Sequence, residues 1–182
     1  TATRLNRGGY TMGELASAAR ANGITDMVVV HEHRGVPDAM VVSHFPHGPT
    51  VLFTLHNVTL RHEVASHSSS TVSEQYPHLI FDGFGGRLGS RVRDVLRFLF
   101  PVPKDDAKRV MTFANRNDFI SFRHHVFVAT HRDVHLAEVG PRFELRPYEI
   151  RLGTLEQNEA DVEWVLRPYM NTARKRNQLA GV

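Results

Sequence analysis

The 182-residue sequence contains no cysteine, only three lysines and a single tryptophan. The absence of cysteine excludes disulfide bonds, thiolate metal ligands and a cysteine nucleophile. No stretch approaches the ~20 consecutive apolar residues that a membrane-spanning helix requires, and the first residues carry no basic, apolar and small-residue signal segment. The sequence therefore predicts no membrane contact, and its length fits one domain or two small halves that share a core.

Arginine supplies most of the positive charge. Nineteen of the 22 basic residues are arginine, although the net charge is only +3. Guanidinium groups bind phosphate in a bidentate manner and stack on bases, so this bias is typical of nucleic-acid-binding surfaces. Genomic base composition or thermal adaptation explains it equally well. The 12 histidines add little charge at pH 7 but offer further hydrogen-bond donors.

The charges are unevenly distributed along the chain. Residues 83–123 contain nine basic and four acidic residues, a net charge of +5, whereas residues 138–166 contain three arginines and seven acids, a net charge of −4. The segment from Arg167 onward adds four basic residues and no acid. This pattern predicts one surface for nucleic acid and another for a protein. A solvated surface of mixed charge is the alternative.

Hydrophobic periodicity indicates an α/β chain. One helix is predicted over 12–22, between a capping box and an Asn-Gly stop. Another follows the glycine-rich turn 82–89 and is stopped by Pro101. Pro147 interrupts a strand and predicts an edge or a bulge there, and the serine-rich stretch 65–73 predicts a loop. The predicted strands are 27–31, 40–45, 51–60, 78–81, 109–114, 120–130, 142–152 and 162–169.

No motif predicts an active site, a metal site or a cofactor. The turn 82–89 lacks the dinucleotide spacing, because Leu88 stands in the place of the third glycine. A phosphate at the helix N-terminus that follows is a weaker possibility, with a flexible turn as its alternative. His31 and His33 share one face of a strand, but two ligands are too few to hold zinc.

The second helix has two different faces when its residues are projected at about 100° per residue. Arginine beside an exposed aromatic ring is typical of RNA binding. The alternative is that Phe98 and Phe100 insert into a partner protein. The apolar face comprises Leu88, Val92, Val95, Leu96 and Leu99, and the opposite side carries Arg87, Arg91, Arg93, Arg97 and Phe98.

Several strings along the chain are distinctive, among them DMVVVHEHRG at 26–35, YPHLIFD at 76–82, GPRFELR at 140–146 and IRLGTL at 150–155. They resemble the Brix family of eukaryotic ribosome-assembly proteins. The strings occur in the same order as in the family and cover nearly the whole chain. The sequence is therefore identified as similar to a Brix domain over residues 1–182.

The resemblance implies an α/β fold of two structurally similar halves, about 1–100 and 101–182, with the hinge at Pro101-Val-Pro103. Each half is expected to resemble the anticodon-binding domain of class II aminoacyl-tRNA synthetases, with a mixed sheet flanked by helices. The family's domain begins with a strand upstream of Arg4, so the chain is expected to lack that strand. The resemblance implies no catalysis and no cofactor.

The resemblance also implies a nucleolar role in early processing of small-subunit pre-rRNA within the U3 small nucleolar ribonucleoprotein. The implied partners are U3 small nucleolar RNA, pre-rRNA, a large acidic scaffold phosphoprotein and a small ribosomal-protein-like RNA binder. The alternative is a protein-interaction module with incidental RNA contact. Phe98 and Phe100 are the candidate partner-binding residues. The candidate RNA-binding residues, chosen by charge and motif, are Arg7, Arg87, Arg91, Arg116, Arg142, Arg146, Arg174, Lys175 and Arg176.

Overall fold

A computed structural model describes residues 2–64, 72–130, 133–170, 172 and 177–181. Most of the serine-rich loop expected at 65–73 lies outside these ranges. The described residues form a mixed α/β fold, as the sequence predicts. Its helices are α1 (Met12–Ala21) and α2 (Gly86–Arg97). Its strands are β1 (Asp26–His33), β2 (Val36–His44), β3 (Thr50–Thr59), β4 (His78–Asp82), β5 (Arg109–Arg116), β6 (Phe119–Ala129), β7 (Val134–Glu138), β8 (Arg142–Arg151) and β9 (Val162–Val165).

Helix α1 begins at the predicted capping box. Thr11 Oγ1 accepts a hydrogen bond from the Glu14 backbone N–H at 3.3 Å, and the Glu14 carboxylate accepts one from the Thr11 backbone N–H at 2.8 Å. Both bonds satisfy N–H groups that the first helical turn leaves without partners. The hydrogen bond from the Thr11 backbone, followed by that from its hydroxyl, holds the pKa of Glu14 below its ordinary value.

Helix α2 buries the apolar face that the sequence predicts. Val92, Val95 and Leu96 are at most 3% exposed and pack against the core of the sheet. Gly89 permits this packing, because a Cβ atom there would collide with the backbone carbonyl of Leu179. Neither α-helix of the described chain is long and apolar enough to cross a membrane.

The strands join one sheet in the order β1-β2-β3-β8-β6-β5-β4, with β7 paired to β6 and β9 paired to β8. The pair β4–β5 is parallel and the other pairs are antiparallel. Three strands that follow Pro101 (β8, β6 and β5) therefore lie between β3 and β4, which both precede it. The division into two similar halves at that proline stays a prediction.

Strand β8 bends where Pro147 interrupts it. Phe53 of β3 pairs with Pro147 and Leu52 pairs with Glu149, so Tyr148 is an extra residue without a partner in this register. The predicted bulge is confirmed, whereas the predicted edge is wrong because β8 lies between β3 and β6. A bulge tolerates proline in a central strand, since the missing N–H falls where the ladder is already broken.

The end of the chain is fixed to the turn between β5 and β6. Asp118 is 7% exposed, and its two carboxylate oxygens accept hydrogen bonds from the backbone N–H groups of Asn177 at 3.0 Å and Leu179 at 2.9 Å. The Leu179 side chain is 1% exposed and belongs to the core cluster beneath α2. A residue near the C-terminus therefore completes the core.

The substitution Asp118→Asn tests this attachment. Asparagine tolerates the positive φ of 65° at this position, but its amide nitrogen cannot accept a hydrogen bond and leaves one backbone N–H without a partner. The expected loss is about 1–3 kcal/mol in the free energy of unfolding, measured by urea denaturation. Asn117→Asp, in the same turn but exposed, is the control. Equal stability of the two variants would contradict the attachment.

His124 is a second buried polar group that supports the fold. Its ring is 5% exposed, Nδ1 lies 2.9 Å from the Gly140 carbonyl oxygen, and Arg109 Nε donates to Nε2 at 3.3 Å. The ring is therefore neutral with its proton on Nδ1. Burial lowers the pKa of His124, the Gly140 hydrogen bond partly offsets this, and the charges of Arg109, Arg61 and His125 lower it further.

This lowered pKa predicts a loss of stability in acid. The unfolded imidazole takes up a proton near pH 6.5 and the folded one at a lower pH, so the unfolded state binds more protons below about pH 6.5. His124→Asn keeps a donor for Gly140 and does not titrate. We expect the stability difference between the parent and this variant to shrink between about pH 8 and about pH 5 in urea denaturation.

Val92→Ala, a core substitution that lowers stability without removing a titrating group, is the control for this experiment. Its stability difference from the parent is expected to stay constant over the same pH range. Parallel pH profiles for the parent and His124→Asn would contradict the role assigned to burial.

Candidate nucleic-acid interface

Strand pairing places an arginine and two rings on the sheet face that points away from α2. Leu145 and Ile120 pair across β8 and β6 and belong to the core cluster beneath α2. Because side chains alternate along a strand, their neighbours Arg146 and Phe119 point to the opposite face. The Arg146 guanidinium carbon lies 5.0 Å from the centre of the Phe119 ring, and the His56 ring meets Phe119 edge-on at 5.4 Å.

Further arginines share this face by the same alternation. Arg142 lies four residues before Arg146 on β8, and Arg123 lies four residues after Phe119 on β6. Arg116 pairs directly with Phe119 across β5 and β6. We call this surface the basic sheet face, and it comprises His56, Arg116, Phe119, Arg123, Arg142 and Arg146.

The arginines of the ion pairs on the basic sheet face are solvent-exposed. Arg116 Nη2 lies 2.8 Å from an Asp82 oxygen, with 70% of the arginine and 55% of the aspartate side chain exposed. Arg142 Nη1 donates to Glu138 Oε2 at 3.3 Å, with 45% of the arginine but only 23% of the glutamate side chain exposed. Exposed pairs such as Arg116–Asp82 contribute about 0–1 kcal/mol. A phosphate can therefore replace Asp82 at small cost and can reach the exposed part of the Arg142 side chain.

Three of the predicted RNA-binding residues thus fall on one surface, Arg116, Arg142 and Arg146. Sequence reasoning missed Arg123 and His56 as members of it. Their signal was an odd spacing from the core positions of the same strands, which becomes readable once the buried face is known. Phe119 was missed for the same reason.

The predicted arginines of α2 lie on the other side of the sheet. Arg91 makes a bidentate pair with Glu163 of β9, in which Nε lies 3.0 and 3.1 Å from the two carboxylate oxygens and Nη2 lies 2.9 Å from one of them. Arg93 pairs with the adjacent Asp94 at 3.1 Å. Arg87 is exposed in the first helical turn. The helix therefore does not extend the basic sheet face.

Of the other predicted basic residues, the structure describes Arg7 alone. Arg7 is exposed in the N-terminal segment, and its Nε donates to the Tyr10 carbonyl oxygen at 3.1 Å. Arg174, Lys175 and Arg176 lie outside the described residues.

The two predicted partner-binding aromatics point in different directions. Phe98 follows α2 and is 71% exposed. Phe100 turns towards the core, where its ring lies 6.4 Å from that of Phe113. Only Phe98 offers an open aromatic surface to a partner. The structure therefore separates two residues that the sequence grouped together.

The acidic region 138–166 does not form a distinct surface, in contrast to the interpretation from the sequence. Five of its seven carboxylates contact basic or amide groups of the same chain. Short-range charge counts missed this because most of the partners lie far away in the sequence. The pairs are Glu138 with Arg142, Glu144 with Asn57, Glu149 with Arg151, Glu156 with Arg20, and Glu163 with Arg91.

Two other sequence features have local structural roles. The turn before α2 is packed against the end of the chain, since Cβ atoms on Gly85 and Gly86 would meet the backbone of Ala180 and Gly181. The N-terminus of α2 is therefore covered by the chain itself rather than open to a phosphate.

His31 Nδ1 lies 2.5 Å from Asp38, and within the described ranges no three His, Asp or Glu side chains are grouped so that they could hold a metal ion.

The amino-acid sequence of the chain is similar to a family model and to several curated proteins. Residues 1–149 match the family model of the Brix domain. The chain is 62% identical over 177 residues to "U3 small nucleolar ribonucleoprotein protein IMP4" of Homo sapiens, covering 96% of this chain and 60% of that protein. It is 56% identical over 179 residues to the protein of the same name from Saccharomyces cerevisiae, covering 98% and 61%.

A solved structure supports the fold independently. A probable ribosomal biogenesis protein from Aeropyrum pernix K1 superposes with a TM-score of 0.54 and 22% sequence identity over 79% of each chain. The chain spans about 60% of the length of the curated relatives it matches. The family model and the identity to these relatives show that the chain belongs to the Brix family.

Proposed function

We propose that this chain is the RNA-binding part of a non-catalytic assembly factor of the U3 small nucleolar ribonucleoprotein. In this role it acts in the nucleolus, where it supports pairing of U3 RNA with pre-rRNA and early processing of 18S pre-rRNA. The relatives' names support membership of that particle. The observation that carries RNA binding is the basic sheet face, where arginines surround the Phe119 and His56 rings.

The chemistry of this face fits unpaired RNA. Guanidinium groups such as those of Arg116 and Arg142 bind backbone phosphates, while the exposed His56 ring offers a stacking surface to a splayed base. Phosphate contacts fix the position of an RNA without reading its sequence. The face is therefore expected to hold single-stranded segments in place.

The remaining assignments are proposals of the same kind. The protein partners would be a large acidic scaffold phosphoprotein and a small ribosomal-protein-like RNA binder. Arg7, Arg87 and the basic segment 174–176 would add further phosphate contacts. A protein-interaction module with incidental RNA contact is the second candidate, and the exposed Phe98 favours it.

The substitution Arg142→Gln tests RNA binding by the basic sheet face. Removing one phosphate contact is expected to weaken binding of single-stranded RNA and to reduce the slope of log affinity against log salt by about 0.7. Adding Arg116→Gln should double both effects. The measurement is fluorescence anisotropy with labelled oligouridine over a series of salt concentrations.

The matched control is Arg34→Gln, in the exposed turn between β1 and β2. It removes the same charge outside the basic sheet face and should leave the salt slope unchanged. Equal slopes for the parent, Arg142→Gln and the double variant would contradict the proposal. For the complete protein in cells, ultraviolet crosslinking should recover U3 RNA and pre-rRNA, with crosslinked peptides from β6 and β8.

Arg91→Gln tests whether α2 contributes to RNA binding. Because Glu163 already engages this guanidinium at two oxygens, we expect unchanged RNA affinity and a loss of about 1 kcal/mol in the free energy of unfolding. Glu163→Gln should lower the free energy of unfolding by a similar amount. The double variant should lose less than the sum of the two single losses. If Arg91→Gln lowers RNA affinity as Arg142→Gln does, α2 belongs to the interface.

A further inference from the structure

A groove runs along the β4 edge of the sheet, on the side that carries α2. Its volume is about 480 Å³. Leu79 and Phe81 of β4 form one wall, Arg93 and Arg97 of α2 form another, and residues 100–103 close the end. We call this feature the β4 groove. It is separate from the basic sheet face.

One wall of the β4 groove is an edge strand. β4 is last in the strand order and pairs only with β5 among the described strands. Its outer side therefore has no ladder partner within those strands, and Ile80 is 50% exposed. An edge of this kind is a template for an added strand.

The lining of the β4 groove indicates the chemistry of its occupant. Leu79, Phe81 and Phe100 provide an apolar floor, and Val102 at the rim is 88% exposed. The lining residues include two arginines and no carboxylate, and Arg97 is exposed. These features complement a segment that combines apolar side chains with carboxylates.

An RNA strand fits the β4 groove less well. The Phe81 ring already stacks on Phe113 at 5.0 Å and meets Phe84 edge-on at 5.6 Å. Phe100 packs against the same cluster. Stacking of bases needs open ring faces, and the aromatic rings that line the groove are engaged with one another or with the core.

We propose that the β4 groove binds an extended segment of a partner protein as an added strand on β4, with both apolar and acidic residues among its groove-facing positions. Backbone hydrogen bonds to the strand would give affinity, and alternate side chains would select the sequence. The apolar residues would rest on the groove floor, and the carboxylates would face Arg93 and Arg97. Because this surface is distinct from the basic sheet face, failure of this proposal would leave RNA binding untouched.

The test uses a fluorescein-labelled peptide of about ten residues in which every second residue is leucine or glutamate and the residues between them are threonine, so that both types share one face. A peptide with lysine in place of glutamate is the charge control. The purified chain is expected to bind the acidic peptide saturably and to reject the basic one. Arg97→Glu should weaken binding by about tenfold or more, and Val102→Asp should also weaken it. Both residues are exposed, so neither change is expected to unfold the chain.

Arg34→Glu is the matched control and should bind the peptide as the parent does. Hydrogen–deuterium exchange should show slower exchange in residues 78–82 when the peptide is bound, with RNA affinity unchanged in Arg97→Glu. No saturable binding up to about 1 mM peptide, equal binding by Arg97→Glu, or protection confined to other strands would each overturn the proposal. Protection of residues 78–82 by oligouridine instead would assign the groove to RNA and overturn it as well.

Discussion

Helix α2 packs on one face of the central strands, and this packing decides which side chains the other face presents. Val92 and Leu96 of α2 are fully buried against this face of the sheet. Alternate residues of β6 and β8 therefore point into the core. The residues between them must then face the opposite side, because a shift of one residue would expose the core set. The arginines of β6 and β8 are thus fixed in position by the apolar residues that alternate with them.

Internal pairing then decides which arginines remain accessible to a phosphate. Glu144, Glu149, Glu156 and Glu163 contact side chains of the same chain. Glu163 binds both Nε and Nη2 of Arg91. Arg116 and Arg142 keep 70% and 45% of their side chains exposed beside their acidic partners. A count of charges along the sequence treats all of these arginines alike, whereas their partners divide them into structural and available groups.

The sequence predicts what depends on neighbours along the chain. The capping box at Thr11, the apolar face of α2 and the bulge at Pro147 all follow from short-range patterns, and all three are confirmed. The order of the strands and the Arg91–Glu163 pair depend on residues that are distant in sequence, as does the burial of Leu179 under α2. A short strand such as β7, with Val134 and Leu136 exposed, lacks the buried alternation that marks its neighbours.

The two proposed surfaces lie on opposite sides of the same sheet, and this arrangement has a consequence for assembly. A factor that joins RNA to protein gains nothing if both ligands compete for one patch of charge. Here the rings and arginines of β6 and β8 face one way, while the β4 groove opens beside α2. Residue Met111 of β5 packs in the core between them. Each ligand can therefore be bound without displacing the other, and the core beneath α2 provides the rigid connection between them.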